Sequence, residues 1–264
     1  MSQTPAAPQI TGKMFLFERP ELLNKEQHAG YGLSKTEKPF AFCAKVRAIP
    51  LTVNELPFAM KHFPIVYTNK ENPLPLAVVG IIDDANLFVN DEGAWDEFAY
   101  IPAYIRRYPF AMASETGGDR LAIVIDTASQ WVVRGGEVPL FENGEPSKAT
   151  TDAIEFCKRC EGERRLTEQM MARLKDFDLI QGQSAQYTQP GGSEAHTFAQ
   201  YFGVDEQRIA ALPADRFEAL RKAGLLPYIY AQLMSFTNWR ELMNRRAKRF
   251  GLADDAIFQP RSLN

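Results

Sequence analysis

At 264 residues, 45% hydrophobic and 24% charged, the chain has the composition of a soluble globular protein with room for one large domain or two small ones. A formal charge of -3 and a pI of about 5.8 give no global electrostatic reason to bind nucleic acid or an anionic membrane. The longest uncharged apolar run, Leu74–Ile82, is less than half the roughly 20 residues of a membrane-spanning helix, and no secretory signal pattern is visible in Met1–Lys13, so a cytoplasmic location is expected.

Residues 1–13, broken by Pro5, Pro8 and Gly12, read as a disordered tail. Leu22–Leu33 carries His28 followed by Gly30 and Gly32, the pattern of a structured loop. Phe40–Ile49 alternates from Phe42 onward like a half-buried strand. Thr52 and Glu55 have capping-box spacing, and Leu56, Ala59, Met60 and Phe63 then predict a short amphipathic helix closing before Pro64. Pro64–Thr68, Leu74–Asp83 and Asn86–Asn90 read as three strands of an antiparallel meander.

Trp95–Phe110 is the densest stretch of the chain, with one Trp, three Tyr, two Phe and paired arginines. Within it Ala99–Tyr108 predicts a short helix stopped by Pro109, with Ile101, Tyr104, Ile105 and Tyr108 on one face and Arg106 and Arg107 off it. Phe110–Ser114, Leu121–Asp126 and Gln130–Val133 form a second meander, turning at Thr116–Asp119. From Ser147 the pattern becomes helical, with one long amphipathic helix to about Phe177. Ile180–Thr188 and His196–Phe202 read as a hairpin around Pro190-Gly191-Gly192. Val204–Leu212, Ala214–Ala223 and Leu225–Phe250 have helical apolar spacing. The expected class is α+β: antiparallel meanders in the N-terminal half bridged by a short helix, and a helical C-terminal half with a hairpin. The expected organisation is a sheet-rich part at 14–146, a mainly helical part packed on it at 147–250, and a frayed tail at 251–264.

No catalytic signature is present. Three cysteines make an odd count, which fits a reducing compartment. Cys157 and Cys160 have C-x-x-C spacing, but no second Cys or His pair completes a zinc site, and both fall on the apolar stripe of the long helix. The histidines, His28, His62 and His196, match no metal motif, so no metal is expected. Cys43 with His28 or His62 is the one nucleophile and base pairing to consider, against the commoner reading of a lone strand cysteine as inert core. Neither G-x-G-x-x-G nor a Walker sequence occurs, and no cofactor is expected. The acidic residues Asp83, Asp84, Asp91, Glu92, Asp96 and Glu97 read as hydrated turns, and Arg240, Arg245, Arg246, Lys248 and Arg249 as a solvated helix end.

Asn24-Lys25-Glu26-Gln27-His28, Phe63-Pro64-Ile65-Val66, Asn86-Leu87-Phe88 with Gly93 and Trp95, the run Tyr100–Phe110, and Leu233, Ser235 and Asn238 together resemble the bacterial SapC family over most of residues 14–250. The family is named for an association with surface-layer proteins. Its members tend to be encoded near outer-membrane receptors, cupin-type hydroxylases and flavin-dependent halogenases. The resemblance implies an accessory role and supplies no catalytic residues. The expectation is therefore a chain that acts by binding a protein partner or a small ligand, with Asn24, His28, Trp95, Tyr100, Tyr104, Arg106 and Arg107 as candidate binding residues. The competing reading is an enzyme using His28 or His62 as a base near Tyr100, with Arg106 orienting an anionic small molecule or peptide.

Overall fold

The computed structural model describes residues 14–114, 121–188 and 195–259. The tail at 1–13 and the turns at 116–119 and 190–192 lie outside the described residues. Pro20–Leu22 (β1), Lys25–His28 (α1) and Tyr31–Leu33 (β2) open the chain, followed by Ala48–Pro50 (β3), Leu56–Ala59 (α2), Ile65–Tyr67 (β4) and Pro75–Val78 (β5). Ala103–Arg106 (α3) leads into Phe110–Ser114 (β6) and Leu121–Asp126 (β7). Val132–Arg134 (β8), Val138–Pro139 (β9), Phe141–Glu142 (β10) and Glu145–Pro146 (β11) precede the 28-residue helix Lys148–Lys175 (α4). Ile180–Thr188 (β12) and Ala195–Val204 (β13) form a hairpin, and Glu206–Ala210 (α5), Ala214–Lys222 (α6), Leu226–Ser235 (α7) and Asn238–Phe250 (α8) complete the helices. At 37% helix and 24% strand the class is α+β.

Two compact units are built from alternating parts of the chain: Met1–Phe42 with Ile105–Gly162, and Cys43–Tyr104 with Glu163–Asn264. In the first, β1, β7 and β6 form one antiparallel sheet and β8, β2 and β9 another, so β8 joins β2 rather than extending a meander from β7. Phe110, Ile125, Val132, Leu140 and Cys157 meet in its buried core. Asp126, fully buried, accepts from the backbone N–H groups of Glu18 (3.0 Å), Arg19 (2.9 Å) and Ala128 (3.1 Å) and from the Tyr108 hydroxyl (3.0 Å). Those donors offset the loss of water around the carboxylate. Where β2 meets the turn before β9, a Cβ on Gly32 would lie 2.7 Å from the Gly136 carbonyl oxygen, a separation that only glycine permits.

In the second unit the sheet runs β12-β13-β4-β5-β3, so the C-terminal hairpin continues a sheet begun by N-terminal strands. Met171, Leu174, Ile180, Val204, Leu220 and Ile229 join Tyr67 of β4 in its core. Buried amide and hydroxyl groups fasten α7 to that sheet. Gln232 donates to the Ile65 carbonyl (3.1 Å) and accepts from Val204 N–H (3.2 Å), and Ser235 Oγ accepts from Ile65 N–H (2.8 Å). Gln232 and Ser235 thus both have partners, which makes α7 a defined rather than a sliding contact.

Four further expected elements differ from the structure because side chains or distant partners take up the backbone groups. Phe40–Ile49 is strand only at its end, Ala48–Ile49 of β3: Ala41–Cys43 is a 3-10 turn, and the Cys43 carbonyl is taken by Asn86 Nδ2 (3.2 Å) and Val46 N–H (3.4 Å). Asn86–Asn90 is not a strand either. Asn86 Oδ1 accepts from Phe88 N–H (3.0 Å) and its carbonyl from Val89 N–H (3.2 Å), so the side chain competes with a ladder, leaving one bridge between Val89 and Trp95. Ala99–Tyr108 shortens to α3, entered after Pro102 where Glu55 Oε1 accepts from Ala103 N–H (2.7 Å). Leu225–Phe250 breaks into α7 and α8 at Phe236-Thr237, where Thr237 Oγ1 donates back to Met234 O (3.0 Å) and Asn238 Nδ2 donates to Met60 O (2.7 Å) and Phe63 O (3.2 Å).

Candidate functional site

The Thr52–Glu55 capping box closes, with Glu55 Oε2 accepting from Thr52 N–H (2.8 Å). Its other oxygen, Oε1, accepts from the Tyr100 hydroxyl (3.0 Å). One buried carboxylate therefore closes the 3-10 turn Val53–Glu55 that leads into α2, and positions the Tyr100 segment. Behind it Phe63, Phe88 and Trp95 form an aromatic cluster, Phe88 and Trp95 stacked with centroids 6.0 Å apart, and the Arg245 guanidinium lies 4.3 Å from the Phe88 ring centre.

Arg245 belongs to a row of cations on α8 that the structure pairs with the acidic turns. Arg245 meets Asp96 (2.6 Å), Arg246 meets Asp83 (2.7 Å) and Arg249 meets Asp91 (2.7 Å). Burial alone would push the Asp96 carboxyl up, but the Arg245 pairing and Phe98 N–H outweigh it and the group titrates below the ordinary carboxylate range. The expectation of hydrated turns and a solvated helix end fails for Arg245–Asp96 and Arg246–Asp83, whose partners, more than 140 residues apart in sequence, neutralise each other, whereas Asp91 stays hydrated.

Arg246 is fully buried. Besides Asp83 it donates to the carbonyls of Ala256 (3.2 Å), Ile257 and Gln259 (2.7 Å), a use of the planar guanidinium fork that lysine could not reproduce. The segment after Gly251, expected to fray, is thereby held as a 3-10 turn, Asp254–Phe258. Phe258 stacks on Tyr187 of β12, centroids 4.1 Å apart, and approaches Phe198 of β13 at 6.1 Å.

These elements bound an aromatic groove of about 740 Å³. Ala185, Tyr187 and Phe198 come from the hairpin, Trp239 and Met243 from α8, and Phe258 from the pinned turn. The volume and apolar lining fall in the range of small-molecule sites. Arg240 lies at the same groove and is exposed. Unlike Arg245, Arg246 and Arg249, it forms no ion pair among the described residues. The groove joins segments distant in the chain, so no single stretch of sequence marks it. The available signal was the spacing of Arg240 and Asn244, and of Trp239 and Met243, which puts them on adjacent ridges of one helical face.

Of the residues expected to bind, Asn24, His28, Arg106 and Arg107 belong to the first unit and Trp95, Tyr100 and Tyr104 to the second. Asn24 caps α1, its Oδ1 accepting from Glu26 N–H (2.7 Å) and Gln27 N–H (3.3 Å). His28 is buried beneath that turn, with Nδ1 2.9 Å from Asn24 O and Nε2 3.4 Å from Glu21 Oε2. Those two residues are brought together, as parts of one turn. Trp95 is core, Tyr100 is half-buried on Glu55, and Tyr104 is half-buried in α3. Arg106 is exposed with its guanidinium 5.2 Å from the Phe156 ring centre, and Arg107 is half-buried.

Burial pushes the Cys43 and Cys157 thiols up to about 12, so neither is a thiolate at neutral pH. Among the described residues no group of three or more His, Cys, Asp or Glu could hold a metal ion, and no helix is long and apolar enough to cross a membrane.

The SapC family profile matches residues 23–242. The chain belongs to the SapC family. No curated protein and no solved structure matches it. In this SapC chain the residues that carried the resemblance are largely structural: Phe63, Phe88 and Trp95 pack together, Asn86 shapes its loop, and Ser235 and Asn238 hold the Phe63–Ile65 backbone. The groove and its Arg240 rim are separate features, reaching beyond residue 242 to Phe258.

Proposed function

We propose that this SapC-family chain acts by binding, and that its ligand is a small apolar molecule carrying an anionic group, held in the aromatic groove with the anion at Arg240. The observation that supports it is the conjunction of an aromatic groove of about 740 Å³ with the one arginine among Arg240, Arg245, Arg246 and Arg249 that no carboxylate meets among the described residues. Anilinonaphthalene sulfonate, an aromatic anion, is a suitable probe. Saturable fluorescence enhancement with one site per chain is expected, weakened about tenfold by Arg240→Ala, which is about 1.4 kcal/mol, and unchanged by Lys248→Ala on the same helix. Equal affinity in wild type and Arg240→Ala would sink the reading.

A second reading keeps a protein partner at the Trp95–Phe110 segment, with the surface-layer link that the family name suggests or the uptake-system link that its members' gene neighbours suggest. It is supported by the exposed Arg106 of that segment. Co-purification from native lysate with wild type and with Arg106→Ala plus Arg107→Ala tests it. Equal recovery of the same partner from both proteins counts against that surface.

A further inference from the structure

β12 ends its sheet, and among the described residues no strand pairs with its outer edge. Nine residues long, it is the longest edge strand among the described residues, whereas the opposite edge, β3, has three residues and carries Pro50. Proteins ordinarily blunt such edges with charge, proline or brevity. Ile180–Thr188 has no charged residue and no proline. Its one protective device is a bulge between Ala185 and Gln186, which leaves Gln181–Ala185 in regular register.

One side of β12 is satisfied by β13. Among the described residues the backbone of 181–188 makes no bond to anything else, so alternate N–H and C=O groups face outward unpaired by protein. The side chains do not seal that edge. Gln183 turns back to the Val204 carbonyl (2.8 Å) and accepts from the Tyr201 hydroxyl (3.2 Å), and Gln181 reaches the Asp178 carbonyl (3.2 Å). Gly182, Ser184 and Gln186 are exposed and offer little bulk to an approaching strand.

We propose that this edge is where two copies of the chain pair, β12 against β12 antiparallel about a two-fold axis. The backbone groups specify an extended strand as the occupant, and the side chains favour a second copy. With the axis at Gln183, Gln181 faces Ala185 of the other copy, Gly182 faces Ser184, and Gln183 faces its own counterpart. In a two-fold contact any charge near the axis meets itself, and here there is none. Each copy covers the other's edge, so one contact removes both liabilities.

The register predicts a charge-swap experiment. The two Ser184 side chains are diagonal neighbours, about 7–8 Å apart, with only Gly182 between. Sedimentation velocity of wild type is expected to give twice the 29.8 kDa chain mass. Ser184→Lys alone and Ser184→Glu alone place like charges together and should each sediment as monomers. Mixing the two should restore the dimer, and circular dichroism should be unchanged throughout because Ser184 is exposed. A dimer insensitive to both substitutions would place the contact elsewhere and overturn the proposal. So would two monomeric variants that fail to recombine. A monomeric wild type at 100-fold range of concentration would also overturn it, leaving the edge to a strand from a different protein.

Discussion

Asp83 and Asp84 are adjacent in sequence and carry the same charge, but the structure assigns them different energetic weight. Asp83 contacts the fully buried Arg246 at 2.7 Å and its own side chain is only 10% exposed. Asp84 faces Arg47 at 3.5 Å with both side chains mostly in water, 83% and 56% exposed. Asp83→Asn keeps the shape and removes the counter-charge. Breaking a buried ion pair from one side costs about 3–5 kcal/mol. Arg246 retains three backbone carbonyls and the Asn retains an acceptor oxygen, so the lower end, about 3 kcal/mol, is expected. Asp84→Asn should cost about 0.5 kcal/mol or less. Urea unfolding in a Trp131→Phe background leaves Trp95 and Trp239 as reporters of the second unit. With a slope of about 3 kcal/mol per molar urea, the Asp83→Asn midpoint should fall by about 1 M while that of Asp84→Asn stays in place. Midpoints of the two variants within experimental error of each other would refute the assignment of Arg246 as a buried charge dependent on Asp83.

Tyr67 is buried in the second core with no hydrogen-bond partner for its hydroxyl among the described residues, and burial raises its pKa. Tyr67→Phe removes an unsatisfied polar atom and should stabilise the protein by about 1 kcal/mol, read as a higher urea midpoint; destabilisation would show that the hydroxyl has a partner. Burial, with Lys61 and Arg245 nearby and Asp96 opposing them, holds the His62 pKa below its ordinary value. The unfolded chain then takes up a proton before the native state does, so stability should fall as pH drops through about 6.5, and His62→Asn should flatten that fall; parallel pH profiles for the two proteins would count against it. With Cys43 and Cys157 raised to about 12 and Cys160 only 8% exposed, a thiol reagent at pH 7.5 should label native protein slowly and all three cysteines promptly in denaturant. Rapid labelling of the native chain would contradict the buried thiols.

Much of the fold was legible where local chemistry and period agree. The α4 stripe, the β12–β13 alternation and the Thr52–Glu55 cap all follow from spacings within a few residues. What was illegible depended on partners distant in the chain or on side chains that bond to their own backbone. Asn86 turns an apolar, strand-like run into a loop, and Asn238 interrupts an apolar helix pattern by reaching back to Met60 and Phe63. Neither effect is visible in hydrophobic periodicity. The same holds for the groove: its wall at Phe258 exists because Arg246 captures carbonyls 10 to 13 residues ahead, and Arg246 is itself neutralised from Asp83. Among the expected binding residues, aromatic density marked the segment, but Trp95 proved to be core and His28 the inside of a turn.

The interleaving of the two units sets an order of completion during synthesis. All of Met1–Phe42 and Ile105–Gly162 has been made by residue 162, so the first unit has its whole chain before the hairpin and last helices are complete. Cys43–Tyr104 is made early but must wait for Glu163 onward. Its last requirement comes at the end of the chain, because Arg246 finds its acceptors only when Ala256, Ile257 and Gln259 emerge. A chain cut at Gly251 would hold a guanidinium with one counter-ion and no carbonyls, and would lack the aromatic ring that closes the groove.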